Sequence, residues 1–267
     1  MRRFMTAALA SGFLAAACGG DPFSGLQDED DFGPERTDVG AESGAAQAVQ
    51  GAVGFGGLVG ASEVDEGAVG AVGQLSAAAL PIVSDAFFDE ADLGSFQPRA
   101  VAASASTIGD ARWAEFPDCV EQDGDVLRFR DCEVAAGNAI TTMDGVIEVE
   151  GDRLVADIDM DATVDFDDTT QQTSTQLFVD LLVDETRIEG RVDSDTSATI
   201  AGAGSARQAS VLIYDIELEG GCATGGELRA GVEQRASGGG HSQTLRAIGR
   251  AVFGPECGDV VVRARLD

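Results

Sequence analysis

The chain has 267 residues, 47 of them acidic against 17 basic, and a formal charge of −30 at pH 7. Such a balance disfavours nucleic acid as a partner, since phosphate backbones are held by clustered Lys and Arg. It also leaves the chain as a whole no attraction for anionic membrane surfaces. Every basic residue is arginine and the single histidine is His241, so the supply of acid–base and metal-binding side chains other than carboxylates is small.

At the start, Arg2 and Arg3 precede an uncharged run, 4–17, that ends in small residues. Charged, apolar and small-residue regions in that order predict a signal peptide over 1–17. The apolar run is shorter than the roughly 20 residues a membrane-crossing helix needs. At its end the sequence reads Leu14-Ala15-Ala16-Ala17-Cys18-Gly19, which resembles the lipobox of bacterial lipoproteins. The resemblance implies cleavage before Cys18, lipidation of Cys18, and a chain held at the cell envelope by its lipid. Glycine after the cysteine, in place of aspartate, implies the outer membrane.

The stretch 18–43 is acidic and loop-like, with Asp28-Glu29-Asp30-Asp31, Pro22 and Pro34. It has too little apolar surface for a core of its own and is expected to be a disordered tether carrying the lipid. In 44–95, two uncharged Gly/Ala-rich stretches flank Glu63-Val64-Asp65-Glu66. Apolar residues at helical spacing, with Val49, Val53 and Val59 on one stripe and Val69, Val72, Leu75, Ala79 and Val83 on the other, predict a helical hairpin. Gly56 and Gly60 have the spacing of a small-residue helix contact in lipid. The simpler expectation is a small-faced helix pair lying on a sheet.

From 112 to 267 the texture changes to two-residue alternation. Leu154, Ala156, Ile158, Met160, Ala162, Val164 and Phe166 fall on one face of a half-buried strand. The same rule marks Leu177 to Val183 by odd numbers, Ile188 and Val192, Leu212 to Leu218 by even numbers, then Leu228, Ala230 and Val232. Two closing strands carry Leu245, Ala247, Ala251 and Phe253, then Val260, Val262, Ala264 and Leu266. Less regular strands are expected at 126–134, 139–149 and 196–201. Short Gly-rich turns between them predict antiparallel pairing of consecutive strands. The expected fold is therefore mainly β: an antiparallel meander of about ten strands forming a curled sheet or an open or closed barrel, with an N-terminal Gly/Ala-rich helical segment. A lipid-spanning barrel is disfavoured by one Trp, one Tyr and the lack of aromatic girdles.

Five cysteines leave Cys119, Cys132, Cys222 and Cys257 once Cys18 is lipidated, an even set in an oxidising compartment. The pairs expected are Cys119–Cys132, bracketing a hairpin at Gly124, and Cys222–Cys257, joining the two ends of a C-terminal unit. Metal binding is not expected, because no CxxC spacing is present and histidine is single. Asp157, Asp159, Asp161 and Asp165 share one face of a strand and lack the turn a calcium loop requires. They are read as a solvated ladder facing arginines such as Arg187, Arg191, Arg246, Arg250, Arg263 and Arg265. His241, in a Gly-rich loop, has no nucleophile elbow near it in sequence, and Trp113 and Phe116 are expected to cover the sheet's end.

No catalytic set and no cofactor are expected from these residues. The function they support is a membrane-anchored cell-envelope lipoprotein with a non-enzymatic structural or binding β domain, its partners being the membrane, through the lipid, and an envelope protein or apolar ligand. An alternative is a carrier of lipid or another apolar molecule, since small residues such as Ala156, Ala162, Ala230, Ala247 and Ala251 would leave a cavity. The arrangement of helix and curled sheet resembles the half-barrel carriers of the bacterial envelope, a resemblance of fold that does not itself carry function. A hydrolytic enzyme is the remaining alternative.

Overall fold

The structure, a computed structural model, describes residues 23, 26, 29–36, 39–56, 119–136, 139–166, 169–200, 204–238 and 241–266. In chain order the elements are β1 (Glu35–Arg36), α1 (Val39–Gly56), β2 (Val120–Asp123), β3 (Val126–Ala136), β4 (Ala139–Glu150), β5 (Arg153–Phe166), β6 (Thr169–Val183), β7 (Arg187–Ile200), β8 (Gly204–Glu219), β9 (Cys222–Gly238), β10 (His241–Phe253) and β11 (Val260–Leu266). Strands β2 to β11 form one antiparallel meander in which each pairs with the next, and β1 adds to the far side of β11. The edges β1 and β2 are not joined. Of the expected forms, an open sheet is the one realised and the closed barrel is set aside.

Alternation in the sequence decides the two faces. One row runs Ala156, Val179, Val192, Leu212, Ala230 and, across Gly249, Ala264, each the direct cross-strand neighbour of the next. All six side chains are buried. Helix α1 lies on this face. Its Ala45, Ala48, Val49 and Ala52 repeat at i, i+3, i+4 and i+7 and join the same apolar cluster. Alanines on the helix meeting alanines on β9–β11 bring the helix backbone close to the sheet. Tyr214 shows how close: fully buried, its hydroxyl donates to the Ala48 carbonyl at 3.3 Å.

The opposite, outer face has a smaller apolar cluster of Val211 and Ile248, packed under Phe23 and Phe32, with Leu26 and Ile213 beside them. This differs from the expectation of a disordered tether over 18–43. Where it is described, that stretch is docked, with Phe23 at 4% and Phe32 at 1% exposure. Too few apolar residues for a core of its own still suffice when two phenylalanines share the sheet's. After Phe32 the chain turns at Gly33, whose φ of 85° belongs to the left-handed region and where a Cβ would lie 2.8 Å from the Arg265 Cβ. It then pairs as β1 with Arg263 and Val262, rounds the β11 edge and enters α1 on the other face.

Further differences have local causes. Helix α1 begins at Val39, before the expected 44, and takes Glu42 into its first turn, where the helix dipole favours an acid. Its buried stripe is set by alanines, with Val53 only partly buried. Strand β7 is continuous where alternation suggested two pieces, because Ser194 and Thr196 occupy helix-side positions that the rule reserves for apolar residues. The signal peptide 1–17, Cys18, the hairpin's 57–95 and the β domain's 112–118 lie outside the described residues.

Candidate functional site

Where the first half of α1 passes over the ends of β9, β10 and β11, a cavity of about 390 Å³ remains. Its apolar wall is built by Ala46, Val49, Ala223, Phe253 and Val260, and its polar side by Glu42, Ser43 and Gln50. The volume falls in the lower part of the range of small-molecule sites, and a mostly apolar wall with a few polar groups is the usual composition of such sites. Three separate pieces of chain meet here. The turn at Gly220 and Gly221 (φ 60° and 80°) joins β8 to β9, the loop after Phe253 leads into β11, and α1 closes over both. Cys222 and Cys257 hold the first two together with Cα atoms 5.6 Å apart, so this disulfide is part of the cavity wall. Cys119 and Cys132 are paired likewise, Cα to Cα 5.2 Å, and fasten β2 to β3. Both expected pairs are thus at disulfide distance.

Toward the other end of the same face the buried positions turn polar. Thr175, Thr196, Gln208 and the partly buried Gln234 are successive cross-strand neighbours on β6 to β9. The Thr175 and Thr196 hydroxyls lie 3.1 Å apart, and the Gln234 amide donates to Gln208 at 3.1 Å. Thr141, on β4, has a buried hydroxyl with no hydrogen-bond partner. Sequence alternation passed over this strip because its residues are polar yet inward.

The outer face is charged, and unevenly so. On β9–β11 it carries Arg229, Arg235, Arg246, Arg250, Arg263 and Arg265 with only two carboxylates, Glu227 and Glu233. Each glutamate serves two arginines: Glu227 pairs with Arg229 and Arg250, Glu233 with Arg235 and Arg246. Partial burial by itself would raise the Glu233 carboxyl, but donation from Arg246 and Arg235 outweighs it and holds the group below the ordinary carboxylate range. Arg250 also lies over the Phe32 ring, 5.8 Å from its centroid.

On β4 and β5 the outer face is acidic. The ladder of Asp157, Asp159, Asp161 and Asp165 is there, as expected, but it does not face the arginines named for it. The register of β5 sets Asp157 between Val146 and Phe178, Asp159 between Asp144 and Gln176, and Asp161 between Thr142 and Ser174. Gln176 donates to Asp159 and Thr170 to Asp165. Those arginines lie on β7, β10 and β11, where Arg187 pairs with Asp184 and Arg191 with Asp193. Alternation fixes the face of a residue but not its partner, which depends on strand order and register.

His241 opens β10 opposite Gly238 instead of lying in a loop. Trp113 and Phe116 lie outside the described residues. Among the described residues no group of three or more His, Cys, Asp and Glu is placed to hold a metal ion, and no helix is long and apolar enough to cross a membrane. No family model, no curated protein and no solved structure matches the chain.

Proposed function

We propose that the chain is a membrane-anchored cell-envelope lipoprotein, held by lipid on Cys18, whose β domain is a non-enzymatic binding module. The cavity under α1 supports the binding role. It is walled by apolar side chains, bordered by Glu42 and Gln50, and braced by a disulfide, so it suits a small apolar molecule, or the apolar end of a larger one, in a form that needs no chemical step. Helix α1 lies over the face on which small residues suggested a cavity, and among the described residues the space left beside it is this one, of a size for a small ligand or one acyl end.

Secretion of residues 19–267 without the lipid, purification without detergent and native mass spectrometry test the reading. An apolar adduct is expected on the parent protein and absent from Ala46→Trp, which places an indole in the cavity from an exposed helix position. Adduct-free spectra for both proteins, after exposure to envelope lipid extract, would reject the binding role.

A further inference from the structure

We propose that the ligand of the cavity under α1 is an amphiphilic amine, an apolar body that carries an ammonium group and neither carboxylate nor phosphate. The inference rests on the binding role given to that cavity and goes beyond it, because an apolar wall accepts any apolar body and leaves its head group open.

Charge at the mouth selects the head. The cavity is walled by α1, by the turn between β8 and β9, and by the loop between β10 and β11. Across 39–56, 217–226 and 251–262 the sequence has acidic residues and no basic one. Glu42 is the one charged residue of α1, and it lines the cavity. Glu219 lies two positions before the lining residue Gly221, Glu256 directly precedes the lining Cys257, and Asp259 stands between the lining Gly258 and Val260. All four carboxylates are exposed. Among the described residues none of them is in an ion pair.

The positive charges of this corner do not cancel them. Arg187 belongs to the turn whose Thr186 carbonyl accepts from the Leu218 N–H at 2.6 Å, and it is held by Asp184 and Glu189. Arg36, on β1, stands opposite Val262, one formal cation against four acids. The amino end of α1 adds about half a positive charge, which Glu42 alone outweighs. An ammonium at the mouth is therefore attracted, while a fatty carboxylate or a phosphate is repelled. Ser43 and Gln50, on the same polar side as Glu42, bring two further acceptors for the three N–H donors of a primary ammonium. Val49, Ala223, Phe253 and Val260 bury the body and supply the bulk of the affinity, whereas the acids supply the difference between one head group and another.

The test uses the detergent-free secreted chain 19–267, which contains every described residue, and three probes that share one tail: decylammonium, decanol and decanoate. Isothermal titration calorimetry at low salt reads the affinity of each. Decylammonium is expected to fill one site about fivefold more tightly than decanol, the upper end of what one exposed ion pair gives, and decanoate to bind more weakly than either. Glu42→Gln should bring decylammonium to within about twofold of decanol, by loss of that pair, and leave decanol unchanged. Asp159→Asn removes the same charge from the outer face of β5 and should leave all three affinities as they were. Ala46→Trp should abolish one-site binding of all three. A parent protein that binds no probe at one site, or binding that survives Ala46→Trp, overturns the cavity's binding role and the ligand class with it. Decanol or decanoate bound as tightly as decylammonium, or an ammonium preference that Glu42→Gln keeps or Asp159→Asn also loses, overturns the ligand class alone.

Discussion

Asp157 and Glu233 are carboxylates on the same outer face, yet their surroundings drive them in opposite directions. Asp157 lies between Val146 and Phe178. Desolvation by these neighbours, and after it the charge of Asp159, raises its carboxyl above the ordinary value. A carboxyl raised in the folded state binds its proton more tightly there than in the unfolded chain. Its favourable contribution is therefore present in acid and lost as pH rises through the folded value. Asp157→Asn should accordingly raise the melting temperature at neutral pH, with the gain shrinking in acid, where the parent residue is already neutral. Glu233 has the reverse sign: held low by Arg246 and Arg235, it stabilises above its unfolded value and loses this as pH falls through the folded one. Melting curves of Asp157→Asn and Glu233→Gln across pH check both. Parallel shifts at every pH would show that neither group is coupled to folding as described.

Helix α1 is held by shape as much as by apolar area, and Tyr214 is its polar fixing point. The phenol is fully buried, which pushes its ionisation far above the ordinary tyrosine range, so it remains a donor. Tyr214→Phe keeps the ring and removes one hydrogen bond, with an expected loss of about 1 kcal/mol in urea unfolding. An unchanged midpoint and slope would mean that the contact to Ala48 contributes nothing. At this scale the sequence was most readable in the strands. Period-two patterns place Leu154 to Ala162 and Leu212 to Leu218 on the buried face, where the structure has them. They fail at Thr175, Thr196 and Gln208, inward residues satisfied by cross-strand partners that a one-dimensional pattern does not contain. They fail again at Phe23 and Phe32, whose burial depends on strands about two hundred residues later, and at β1, whose pairing does. The cavity was illegible for the same reason: Val49, Ala223 and Phe253 become neighbours only once three distant segments meet.

The described residues form an open sheet whose ends are fastened rather than joined. Cys119–Cys132 secures β2 to β3 near one edge, and Cys222–Cys257 ties the loops around β9–β11 near the other. With a sequence separation of 35 between Cys222 and Cys257, loop-closure entropy gives a stabilisation of about 4 kcal/mol in the chain-entropy model. The pair Cys222→Ser with Cys257→Ser should lower stability by about that amount in denaturant, and a change below about 1 kcal/mol would show that folding closes this loop without help from the bond. The route of the N-terminal segment has a consequence in time. Phe23 and Phe32 dock on β8 and β10, Gly33 accepts a hydrogen bond from Arg263, and β1 pairs with β11. On the proposed export route, amino end first, the residues nearest Cys18 would arrive first and find their seat last, after the final strand has followed. On that route Phe23 and Phe32 would stay uncovered until then, and the interval before the carboxyl end emerges is when the chain would have most need of a chaperone.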